Sequence, residues 1–195
     1  MSRTLSIRNR QRIRRIDTAL LRRITLHLLR EHFQVNEYEL AIQLVAAPEM
    51  ARVNWNFLRH EGSTDVITFD HANDPFRVSG FEFRVGHGQG EHETRNAKRE
   101  TPIHGELFVC LDDAVKQARE FRTTWQSELV RYLIHGLLHL RGHDDLKPAA
   151  RRLMKREENR TLKEMAGSFA LSQLARRRQK RGTNQSAIRN PQSAI

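Results

Sequence analysis

A chain of 195 residues with 34 Lys and Arg against 23 Asp and Glu carries a formal net charge of +11; its 38% hydrophobic content suffices for one domain, and its length is too short for two well-packed ones. That charge favours a polyanionic partner, nucleic acid ahead of an anionic membrane, while no apolar run is long enough to span a bilayer or serve as a signal peptide. The single cysteine, Cys110, excludes an intramolecular disulfide and a cysteine-built zinc finger, and the expected compartment is the cytoplasm.

Thr4 to Ile7 reads as a short first strand. From Ile13 to Phe33 the apolar residues Ile13, Ile16, Leu20, Ile24 and Leu28 recur at steps of three and four, which predicts a helix with one buried stripe. Nine arginines and a single acid, Asp17, fall within residues 1–30. The outer face of this helix is therefore either a solvated surface or a contact for an RNA backbone.

Glu37 to Ala46 alternates apolar and polar residues and predicts a half-buried strand. Pro48 suits the first turn of a helix over Glu49 to Leu58, where a missing N–H costs nothing. After the break at Gly62-Ser63, the β-branched and aromatic run Val66-Ile67-Thr68-Phe69 predicts a second strand. His71 to His104 carries four glycines and no sustained periodicity, and reads as an insertion over about 72–103. Within it, Phe81 to Val85 is either a strand of a hairpin or part of a long loop.

Leu107 to Leu111 predicts a buried strand, and Asp112-Asp113 a capped helix start running to Phe121. Thr123 with Gln126 resembles a capping box for a helix reaching Leu140, with Leu129, Tyr132, Leu133, Leu137 and Leu140 on its apolar face. Gly142 stops that helix, and Pro148 opens a last one over Ala149 to Ala166. The domain is thus expected over 1–167. Residues 168–195, with Ala175-Arg-Arg-Arg-Gln-Lys-Arg181, read as a disordered basic tail.

One segment carries chemistry: His135-Gly-Leu-Leu-His139-Leu-Arg-Gly142-His143-Asp144-Asp145. Histidines four apart share a helix face, with Cβ atoms about 6 Å apart, a spacing that suits one zinc ion. Gly142 lets the chain turn back with a third ligand, Asp145 in preference to His143 or Asp144. Two imidazoles and a carboxylate leave one tetrahedral place for water, as in catalytic zinc sites. A zinc peptidase needs a glutamate directly after the first histidine as its base, and that position is Gly136.

This segment, with Asn54, Thr64-Asp65-Val66-Ile67-Thr68-Phe69 and Gly105-Glu106-Leu-Phe-Val, resembles the YbeY endoribonuclease and rRNA maturation family. The resemblance covers about residues 5–166. It implies a zinc-dependent, single-strand-specific endoribonuclease that matures the 3′ end of small-subunit rRNA and takes part in ribosome quality control. It also implies one zinc ion on His135, His139 and Asp145, with His135, His139 and Arg59 as catalytic residues. Two positions depart from the family pattern. Asp145 stands where a histidine is commonest, and Leu58, followed by Arg59, stands where an arginine is frequent. Water or the RNA's own 2′-hydroxyl can be the attacking group. Thr64-Asp65 either lines the cleft or fixes a turn, and Glu106 either orients a metal ligand or meets a local partner.

The expected architecture is α+β: a small mixed four-stranded sheet packed with helices, one of them a zincin-like His-x-x-x-His metal helix. Two rivals remain at this point. One is a non-catalytic RNA- or ribosome-binding factor with structural zinc, and the other is a metallohydrolase of another substrate.

Overall fold

The computed structural model describes residues 2–72, 77–79 and 102–176. Four strands of five to eight residues, β1 (Arg3–Asn9), β2 (Tyr38–Val45), β3 (Val66–Asp70) and the strand Ile103–Cys110, form the body of one mixed sheet. A three-residue strand, β4 (Arg77–Ser79), is added at the edge, which makes Ile103–Cys110 β5 and gives the order β1-β2-β5-β3-β4. β1, β2 and β5 run parallel, β3 runs antiparallel to β5, and β4 antiparallel to β3. The insertion therefore starts as a hairpin through Asp70 and Arg77. The strand expected over Phe81 to Val85 lies outside the described residues.

Alternation along the strands sends two sets of side chains to opposite faces. Leu40, Leu44, Leu107 and Val109 face the larger core, while Ile67, Phe69 and Cys110 face a smaller one with Met50. α2 (Ala47–Leu58) covers the smaller face. The larger core is built from α1 (Thr18–His27), α3 (Leu111–Glu120), α4 (Trp125–Leu140) and α5 (Pro148–Ser168). α4 is the most buried of them, packing on β3 and β5 and flanked by α3 and α5. A Cβ on Gly136 would come within 2.7 Å of a Leu107 methyl, so the missing side chain is what lets α4 sit this close to the sheet.

Several boundaries differ from the sequence reading. The first helix begins at Thr18 rather than Ile13, because Asp17 caps it through Leu20 N and buried Gln11 holds residues 13 and 14 in a turn. Its last five residues, Leu28–His32, wind as a π-helical turn. Thr124, not Thr123, caps α4 by accepting from Ser127 N. Asp112 does not cap its own helix; its carboxylate accepts from Ala47 N at 2.6 Å and so holds the start of α2. The tail expected from 168 is packed as far as Arg176: Leu171 and Leu174 are buried, and Ala175 bridges Ile16. Arg22 on α1 and Arg30 in the π-helical turn also have internal work, donating to Leu5 O and to the Tyr38 hydroxyl.

Candidate metal centre

The site forms where α4 ends. Gly142 adopts φ +85°, a left-handed conformation open to glycine, and its N–H donates to His139 O while His143 N–H donates to Leu138 O. These bonds satisfy the last carbonyls of the helix and reverse the chain. The reversal brings the His143 carbonyl to 3.1 Å from His139 Nδ1 and the Asp145 carboxylate to 4.0 Å from His135 Nε2. Arg151 Nε donates to Asp145 O, which ties the returning loop to α5.

α5 supplies the remaining partner. Glu158 Oε1 lies 2.6 Å from His135 Nδ1 and the side chain is almost wholly buried. Its other oxygen is 3.8 Å from Arg131 Nη1, and Arg131 Nε is in turn 3.2 Å from the buried Glu128 carboxylate. A carboxylate and a peptide carbonyl only accept, so both Nδ1 atoms carry the proton and both Nε2 atoms are left with bare lone pairs. Those two Nε2 atoms face each other at 2.9 Å.

Opposed lone pairs repel unless something positive lies between them. Burial disfavours a charged His135, but the Glu158 hydrogen bond and the charges of Glu158, Asp65 and Asp145 outweigh it and raise its pKa. His139 moves the other way, lowered by burial and by the charge on His135. A proton on His135 Nε2 can thus bridge the pair, and a divalent cation takes the same two lone pairs with more charge. Ligand atoms of His135, His139 and Asp145 all lie within 4.8 Å of one another. Tetrahedral zinc ligands stand about 3.4 Å apart, and the observed 2.9 and 4.0 Å lie on either side of that value. The donor set and its spacing fit a metal ion.

The other sequence-selected residues fall in different places. His143 contributes its backbone carbonyl; burial and then Arg141 keep its ring below the usual histidine pKa. Arg59 is the exposed, left-handed C-cap of α2, with φ +56°. Buried Asn54 donates to Gly62 O and so fastens the loop after α2. Thr64 donates to Asp65 Oδ1, and the Asp65 charge is among those that raise the His135 pKa. Glu106 meets a local partner, Gln43, at 2.8 Å. The carboxylate that orients a metal-site histidine is Glu158, which sequence reading passed over. Its signal was an acid among the buried positions of α5, with Met154, Thr161, Leu162 and Met165.

The family model described as Endoribonuclease YbeY matches residues 6–166. The chain belongs to the YbeY family. A YbeY relative from Salinibacter ruber is 32% identical over 158 residues, covering 81% of this chain and 89% of that protein. One from Chlorobium luteolum is 30% identical over 161 residues, covering 83% and 97%. Both bear the name Endoribonuclease YbeY. The solution structure of a Thermotoga maritima protein superposes with a TM-score of 0.56 at 21% identity, over 90% of this chain and 97% of that one, which supports the fold. Among the described residues no helix is long and apolar enough to cross a membrane.

Proposed function

We propose that this YbeY-family chain is a zinc-dependent, single-strand-specific endoribonuclease of the cytoplasm. In this reading it matures the 3′ end of small-subunit rRNA and serves ribosome quality control. One observation carries the reading: two Nε2 lone pairs held face to face at 2.9 Å with the Asp145 carboxylate beside them. A bound divalent ion there supplies Lewis acidity toward a phosphoryl oxygen and makes coordinated water more acidic.

The protein's own residues set the conditions for that chemistry. Glu158 and the His143 carbonyl fix tautomer and ring direction, so neither imidazole has to reorganise when it binds. Asp145 brings a negative charge where the family commonly has neutral imidazole, which lowers the effective charge of the centre. The Glu128–Arg131–Glu158 chain holds the orienting carboxylate in place. Arg59, exposed at the end of α2, is assigned to the phosphodiester backbone.

The test is cleavage of single-stranded RNA by the wild type and by His139→Ala, with folding of each checked by circular dichroism. The variant should keep RNA affinity within a few-fold and lose cleavage. Equal residual cleavage in both would assign the activity to a contaminant and the chain to RNA binding alone.

A further inference from the structure

Far from the metal centre, near the N-terminal end of α4, lies a second basic feature. Two depressions of about 400 and 650 Å3 meet at Ile13 and Arg14. Arg15, Trp125 and Arg176 line the first, and Lys116 and Arg119 of α3 line the second. The five cations are exposed, and among the described residues none of them is in an ion pair with an acid. Of the two acids that border the groove, Asp112 is committed to Ala47 N, which leaves Glu120.

The groove is built. Gln11, 5% exposed, uses its whole amide on the turn that carries Arg14 and Arg15. Oε1 accepts from Ile13 N at 2.7 Å and Arg14 N at 3.0 Å, and Nε2 donates to Asn9 Oδ1 and Arg14 O. Arg176 N–H donates to Arg15 O at 3.0 Å, and the bridge between Ile16 and Ala175 locks the two segments side by side. Cations gathered around a partly buried indole suit RNA, whose phosphates meet the basic groups and whose bases can meet the exposed part of the ring.

We propose that this groove is a second RNA-binding site, separate from the metal centre, that holds the phosphate backbone of the RNA. The fourteen residues from Trp125 to His139 on α4 place the two about 20 Å apart. One phosphate cannot serve both, so the groove anchors a flanking segment while the metal centre acts on another. The ligand's identity rests on the RNA-cleaving reading above; the groove's charge and shape do not.

The experiment uses the full chain and a labelled 30-nucleotide RNA, titrated over a range of KCl concentrations. Arg14→Glu with Arg119→Glu should weaken binding about tenfold and flatten the salt slope by about two. The neutral pair Lys116→Ala with Arg119→Ala should do the same to a lesser degree, which guards against misfolding in the first variant. Zinc content should be unchanged in both. Unaltered affinity and slope would overturn the proposal. So would a loss confined to phosphatidylserine vesicles, which would make the groove a membrane contact. His139→Ala is run alongside: cleavage surviving in that variant defeats the active-site reading and leaves the groove's result standing.

Discussion

His135 and His139 are set up as candidate ligands by what occupies their other nitrogens. Remove Glu158 and His135 Nδ1 loses its 2.6 Å acceptor, so the ring is free to turn or change tautomer. Glu158→Ala should weaken zinc affinity about 10- to 100-fold, measured by competition with a chelator, and Glu158→Gln, which keeps an acceptor oxygen, should recover part of the loss. Equal affinity in all three proteins would show that Glu158 does not orient the ligand. Cys110 offers a separate check. Burial, the largest influence, pushes its thiol from 9.0 up to about 12, so it should resist alkylation at neutral pH until the protein unfolds. The folded value lies above the unfolded one, so the associated stability is complete below pH 9 and is lost as pH rises from there toward 12. Denaturant titrations at pH 7 and pH 10 should show the drop.

α4 is legible in the sequence because its signals are local. The four-residue histidine spacing, the apolar face and the Gly142 stop all act within one or two turns, and each is found as expected. Glu158 was not legible as a partner, since its role depends on α5 crossing α4 twenty-three residues downstream. The start of α1 differs from the sequence expectation for a related reason. Ile13 and Ile16 continue the helical period, yet Ile16 pairs with Ala175 at the far end of the chain. Close packing of α4 on the sheet gives a test at this level. Gly136→Ala places its Cβ 2.7 Å from a Leu107 side-chain methyl, whereas Gly105→Ala places it 2.6 Å from the Phe69 backbone carbonyl oxygen. The first should cost about 1–3 kcal/mol in denaturant unfolding, and the second more, because backbone cannot rotate aside. A reversed order would mean that α4 can shift away from the sheet.

Among the described residues, the basic groove and the candidate metal site lie apart. The chain carries a formal net charge of +11, while the candidate site sets buried and half-buried groups of opposite charge in short contacts. Removing residues 177–195, which contain Arg177, Arg178, Lys180 and Arg181, takes away cations without touching any described metal-site contact. RNA binding should become less salt-sensitive while zinc uptake stays unchanged; a parallel loss of zinc would show that the segment supports the site. The central proposal is that His135, His139 and Asp145, whose ligand atoms lie within 4.8 Å of one another, bind one ion together. The most direct measurement is bound zinc per chain after exhaustive dialysis, in the wild type and in folded His139→Ala. One equivalent in the wild type and almost none in the variant is the expected result. Equal zinc in the two proteins, or none in either, would contradict it.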